Sequence, residues 1–336
     1  MSLVSSRILE AIDRICLLGP AGSTGRTRDL ARLYRAARSR AGEPLCAAVA
    51  RRIEAAVHPG ASVILLTGAG GPPALPRGET DGPLGAAVLA RALVLALDAR
   101  PILVAEARFR GPIVATLDAL AHGSQAVAWR RAIRYVPFPI RSDSARPAAE
   151  ALWDHARPVA VISIERLGPN HRGVTHNAMG EDVTADYAGV ETLFALARRR
   201  GALTIGVGDR GNELGFGRLI SRPARNSPPG RRCACPCRST ILCAVPANLV
   251  VVASVSNWGA YGIVAGLSVR LRDVRLLHRP TDETRMLKAC VEAGGRDGLS
   301  GARRRTVDGL PLRINRSVVA SLEEILDRRK GDGADG

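Results

Sequence analysis

Short apolar runs alternate along the chain with longer stretches whose apolar positions recur at helical spacing. The runs Ser62–Thr67, Ile102–Glu106, Val159–Ile164, Leu203–Val207 and Leu249–Val255 read as buried strands. The periodic stretches Asp29–Arg40, Pro83–Leu97, Gly111–Ala121, Ala188–Arg199, Trp258–Leu271, Thr281–Ala293 and Ser317–Arg329 read as helices. Strand and helix in alternation predict an α/β protein, a three-layer α/β/α stack with a mainly parallel sheet. Open sheets of this kind hold their ligands in loops at the C-terminal strand ends, so polar residues just past each strand are the candidates for chemistry. Two stretches break the order: Arg222–Arg238, rich in Pro, Arg and Cys, reads as an irregular excursion, and residues 329–336 read as a disordered tail. With no Pro- or Ser-rich linker, residues 1–328 are expected to form a single domain.

Composition sharpens this picture modestly. At 336 residues and 46% hydrophobic, the chain buries a sizeable core. No apolar run reaches the roughly 18–20 residues of a bilayer span; Gly85–Leu97 is interrupted by Arg91 and followed by Asp98. The opening residues MSLVSSRILEAIDRICLLG carry Glu10 and Asp13 and lack the basic-then-apolar order of a secretion signal, so a soluble cytoplasmic protein is expected, away from membranes. The net charge of +17 invites a nucleic-acid reading. Yet Lys288 and Lys330 are the only lysines, the arginines are scattered through every segment, and aromatics are 3% of the chain, so no nucleic-acid partner is expected. Seven cysteines without a secretion signal imply reduced thiols. Cys233, Cys235 and Cys237 form a C-x-C-x-C that is cramped for a zinc tetrahedron, and a reduced surface loop is the favoured reading over zinc.

The strand-end loops carry the chemistry. Gly78–Pro83 (GETDGP) places Glu79 and Asp81 after the first strand; Asp81 is a natural helix cap, but two acids in one tight loop also suit a hard divalent cation. Glu165 and Arg166 end the strand Val159–Ile164, with His171, His176 and Asn177 in the loop beyond. As function they offer a base or ligand and a guanidinium fork; as structure they are an ordinary ion pair. The stretch GVGDRGNELGFG, residues 206–217, sets Asp209, Asn212 and Glu213 among five glycines. It is no P-loop, and its acids are poor company for a pyrophosphate, so no nucleotide cofactor is expected. Asn257 follows the last strand and is either a cap or a ligand; the Asp297–Gly298 and Asp308–Gly309 pairs are first of all turns. Glu106 also ends a strand.

Together, GETDGP, SIER, GVGDRGNELGFG, SVSNWGAYG, DGLSG and VDGLPL resemble, in order and spacing, the D-glutamate cyclase-like family over residues 60–315. The cysteine-rich stretch and Arg303–Arg305 depart from the family's pattern. The resemblance implies an α/β lyase of D-amino acid metabolism that closes D-glutamate to 5-oxo-D-proline with loss of water. On that footing Glu165, Glu213, Asp209 and Asn212 are expected to be catalytic, Arg166, His176, Asn177 and Asn257 to bind substrate, and Glu79, Asp81 and Asp209 to hold a divalent cation, Mg²⁺ or Mn²⁺. A metal-dependent phosphatase using the same acids is the alternative, and a non-catalytic amino-acid-binding module the third reading. The partner is a small acidic metabolite in each enzyme reading, and a homo-oligomer is left open.

Overall fold

The computed structural model describes residues 3–19, 24–122, 126–140, 142–219, 233 and 235–331. Three helices, α1 (Leu3–Cys16), α2 (Thr24–Ala41) and α3 (Leu45–Ala56), precede the first strand, β1 (Ser62–Thr67). Then follow α4 (Pro83–Leu97), β2 (Arg100–Ala105), α5 (Arg110–Leu120), α6 (Ala126–Arg131), β3 (Arg134–Pro137), α7 (Ser142–Ala156) and β4 (Ala160–Ile164). The chain continues through α8 (Glu191–Arg199), β5 (Leu203–Gly208), β6 (Leu249–Val252), α9 (Ser256–Leu271) and α10 (Pro280–Glu292). A small hairpin, β7 (Thr306–Val307) and β8 (Leu310–Pro311), leads into α11 (Leu312–Gly331). Every strand and helix expected from the sequence is present, with ends shifted by a few residues; α11 runs on to Gly331, inside the expected tail. Of the expected excursion, residues 222–232 and 234 lie outside the described residues, as do 332–336 of the tail.

Strands β1 to β6 form one parallel sheet in the order β3-β2-β1-β4-β5-β6. From β1 the chain winds outward through β2 and β3, returns to the other side of β1, and winds outward again through β4, β5 and β6. Right-handed crossovers then place α4 and α5 on one face and α7 and α8 on the other, giving the three-layer α/β/α stack. The reversal between β1 and β4 leaves a crevice at their C-terminal ends, because the loops leaving those two strands part in opposite directions. Strands β1, β4 and β5 are buried almost throughout, as expected for a sheet covered on both faces. Helices α4 and α9 are apolar nearly all round and pack on each other against the sheet. Among the described residues, no helix is long and apolar enough to cross a membrane.

Candidate active site

The crevice between β1 and β4 gathers the strand-end loops. The backbone after β4 runs antiparallel to the loop after β5: Leu214 N–H donates to the Arg166 carbonyl at 2.8 Å and Gly168 N–H to the Asn212 carbonyl at 2.9 Å. That pairing brings Glu165 beside Asp209 and Glu213, whose carboxylate oxygens lie within 4.8 Å of one another. The loop after β1 is held from outside, since Thr80 N–H donates to the Arg296 carbonyl at 2.9 Å. Glu165 itself sits at φ +45°, a conformation rare for a non-glycine residue and often retained where a side chain must be aimed.

The glycines of residues 206–217 let this loop fold back onto its own strand. A Cβ on Gly208 would lie 2.5 Å from Glu213 Cδ. With that space free, the Glu213 carboxylate reaches under the loop and accepts three backbone N–H groups, from Asp209 (3.1 Å), Arg210 (3.0 Å) and Gly211 (2.7 Å). Glu213 is therefore the loop's anchor. Asp209 instead pairs with Arg210 (Nε to Oδ2, 3.4 Å), and Arg210 reaches on to Asp308 (3.3 Å).

Asp81 and Asn257 exchange helix caps. Asp81 accepts the N–H groups of Gly82 (3.0 Å), Ser256 (2.8 Å) and Asn257 (2.8 Å), so it caps α9, not the helix that follows it. Asn257 Oδ1 accepts Gly82 N–H (2.9 Å) and Gly85 N–H (2.7 Å) and thereby caps α4, while its Nδ2 donates to the Thr80 carbonyl (3.0 Å). The two helices meet this closely because a Cβ on Gly85 would lie 2.9 Å from the Asn257 Cα. Ser256 Oγ, from the same turn, donates to Glu165 Oε2 at 2.5 Å.

Arg166 is expected as a substrate fork, and the structure turns it away. Its guanidinium is fully buried, bonds both oxygens of Glu106 (2.6 and 2.7 Å), donates to the carbonyls of Gly68 and Ala188 (2.9 Å each), and stacks on Tyr187. Glu106 also accepts Ala188 N–H at 2.6 Å. This buried ion pair fastens the ends of β2 and β4 to the loop entering α8. His176 likewise leaves the crevice: its Nε2 faces Cys235 and Cys237. Asn177 organises its own loop, accepting N–H from Met179 and Glu181.

What remains open is a cavity of about 190 Å³, smaller than the clefts of roughly 300–1,000 Å³ that hold drug-sized ligands. Its polar lining includes Glu79, Glu165, Asn177, Arg210, Asn212 and Asp308. Asp81, Asp209 and Glu213 stand behind this lining. Burial pushes Glu79, Asp81 and Glu165 well above the usual carboxylate range, and their neighbours push further: Asp308 at Glu79 and Asp81, Asp209 at Glu165. Arg210 opposes this at Glu79, and its own affinity for its proton is raised by Asp209. Asn212 donates Nδ2 to the His176 carbonyl (3.0 Å), while its buried Oδ1 has no hydrogen-bond partner among the described residues.

This geometry coincides with a family match. The model of the family described as D-glutamate cyclase-like, C-terminal, matches residues 27–323. The chain belongs to the D-glutamate cyclase-like family. A curated relative, the human mitochondrial D-glutamate cyclase, is 28% identical over 274 residues, covering 70% of this chain and 41% of the human enzyme. The chain thus spans well under half the length of that relative. Among solved structures, the terminal R domain of the myxalamid PKS-NRPS pathway is 20% identical, with 66% of this chain and 54% of that one covered. Its TM-score of 0.26 is too low to carry any argument.

Within this D-glutamate cyclase-like chain, the cavity also takes in Arg210 and Asp308, to which the strand-end pattern assigns no chemical role. Arg210 stands in the middle of GVGDRGNELGFG, and a single cation among acids was the available signal. Asp308 lies in a turn-forming Asp–Gly pair, where the turn reading masks it; at φ +51° it joins the acids through Arg210. A hard divalent cation fits the oxygen donors of Glu165 and Asp209. It fits the expected trio of Glu79, Asp81 and Asp209 less well, because both Asp81 oxygens are already engaged by backbone N–H groups.

Proposed function

We propose that this chain is an enzyme that closes D-glutamate into 5-oxo-D-proline and water. The observation that carries the reading is the pairing of two buried carboxyls of raised proton affinity, Glu79 and Glu165, with one guanidinium, Arg210, around a cavity of metabolite size. Cyclisation forms a bond between the α-nitrogen and the γ-carboxyl carbon and breaks a bond from that carbon to oxygen. An ammonium and a carboxylate become an amide and water, so net charge is conserved and the protons that leave nitrogen depart with the oxygen. As proposed, the Glu165 carboxylate takes the first proton from the ammonium, Glu79 delivers one to the departing oxygen, and the second proton leaving nitrogen completes the water; a proton passing from Glu165 back to Glu79 restores both groups. Asn212 Oδ1, a buried acceptor without a partner among the described residues, suits the ammonium. Arg210 is the cation lining the cavity among the described residues and holds the α-carboxylate. If Glu165 and Asp209 held Mg²⁺ or Mn²⁺, the ion would polarise the γ-carboxyl, and Glu165 would then serve as its ligand in place of acting as the base. A phosphate ester would add negative charge to a cavity already rich in acids, and phosphoryl chemistry is not proposed.

The test is product analysis. Purified protein is incubated with D-glutamate and, separately, with L-glutamate, each with and without added Mg²⁺ or Mn²⁺, and 5-oxoproline is followed by NMR. Product from the D-isomer in preference to the L-isomer is expected. The absence of 5-oxoproline from every arm would overturn the reading.

A further inference from the structure

Beside the cavity, but facing away from it, the structure assembles a second set of ligand atoms. Cys233, Cys235 and Cys237 come from one tight loop, and His176 arrives from the loop after β4. The Cys233 sulfur lies 3.3 Å from each of the Cys235 and Cys237 sulfurs, and His176 Nε2 lies 3.2 Å from Cys235 Sγ and 3.6 Å from Cys237 Sγ. All four atoms fall within 4.8 Å of one another. A zinc–sulfur distance of about 2.3 Å implies tetrahedron edges of about 3.8 Å, so a small outward shift of these groups opens the space for one ion. Three cysteines in C-x-C-x-C alone wrap a tetrahedron poorly, which is why the sequence favours a plain surface loop. The histidine, distant in sequence, supplies the fourth corner and removes that objection.

We infer that Cys233, Cys235, Cys237 and His176 form a structural zinc site of the Cys₃His type. Thiolates and imidazole select zinc over the hard cations suited to the carboxylates of the cavity, so the two sites differ in chemistry as well as in place. The surroundings are those of thiolate ligands: Ser239 N–H donates to Cys233 Sγ at 3.3 Å and Asn170 Nδ2 points at Cys237 Sγ at 3.7 Å. Asn170 also donates to the Thr240 carbonyl at 2.7 Å, tying the two ligand-bearing loops together a second time. Cys243 stays out of the set, since its thiol is buried against Gly168. The site has a structural consequence. His176, fixed by the ion, offers its carbonyl to Asn212, and the next residue, Asn177, lines the cavity, so the zinc would hold one wall of the candidate active site in place.

Metal content of the purified full-length protein, produced without a metal-affinity tag, tests this directly. About one zinc per chain is expected after dialysis, falling to near zero in Cys235→Ser and in Cys237→Ser, and unchanged in Asp209→Asn. Cobalt(II) in its place is expected to give the intense visible bands of tetrahedral coordination together with thiolate-to-cobalt charge transfer. Should the cysteine variants fail to fold, the native chain still decides: alkylation mapped by mass spectrometry is expected to spare Cys233, Cys235 and Cys237 until a strong chelator is added. Zinc absent with all three thiols freely alkylated, a disulfide among them, or zinc that is lost in Asp209→Asn and retained in Cys235→Ser would each overturn the assignment.

Discussion

Glu213 and Asp209 carry the same charge in one loop, and their surroundings give them different work. Glu213 spends its oxygens on three backbone N–H groups, so Glu213→Gln turns an amide N–H₂ toward at least one of them and should cost about 1–3 kcal/mol of stability, read as a lower melting temperature. Asp209→Asn leaves the loop anchor intact, and its effect should fall on turnover or cation affinity with little change in melting. Arg166 divides the structural and substrate-binding readings more sharply. Replacing it with Ala strands Glu106 as a buried, unpaired charge and should destabilise the fold by about 3–5 kcal/mol. A variant that melted normally and showed only a raised KM would return Arg166 to the role of substrate fork. The sequence made the acids of the β1, β4 and β5 loops legible because each follows a strand. It hid the Arg166–Glu106 pair and the His176–cysteine set, since partners so far apart in the chain meet only once the sheet is folded.

At the scale of elements, the strong periodicities were readable and the weak ones were not. Strand β1 and helix α4 begin and end where their patterns do. Strand β3 is short, partly exposed and at the sheet edge, and so leaves no buried run to find. Helix α3 is mainly alanine and arginine around a few large apolar residues, and it begins without a side-chain cap of its own; Asp13, from α1, accepts the N–H groups of Leu45 and Cys46. The same device, a cap supplied from elsewhere in the chain, joins α4 and α9. Asp81→Ala and Asn257→Ala each remove the acceptor of buried backbone N–H groups and should each cost about 1–3 kcal/mol. Because both residues serve one junction, the double variant should depart from additivity by at least about 0.5 kcal/mol, measured by denaturant unfolding. Simple additivity would mean that the two helix ends are held independently.

For the whole molecule, the strand order decides where the buried acids gather. The reversal between β1 and β4 collects acids from distant parts of the sequence in one crevice, and their burial makes stability depend on pH. Glu79, Asp81 and Glu165 hold their protons more tightly folded than unfolded, where carboxyls titrate near about 3.9–4.3. Their contribution is fully present below that range and is lost as pH rises through the raised folded values. With no Mg²⁺ or Mn²⁺ added, the melting temperature of the unaltered protein should therefore fall from pH 5 to pH 8, and Glu165→Gln should flatten part of that fall. Equal slopes for the two proteins would show that Glu165 titrates as it does in the unfolded chain.

If the buried acids of this crevice perform the chemistry, the rate of 5-oxo-D-proline formation must depend on Glu165, and Glu165→Gln is the variant in which to measure it. The substitution keeps the side chain's size and its hydrogen bond with Ser256 while removing the base. A loss of at least about 100-fold in kcat is expected, the scale of general acid–base catalysis, in a protein that still melts as one cooperative unit. A Glu165→Gln protein that cyclises D-glutamate at the unaltered rate would remove Glu165 from the chemistry.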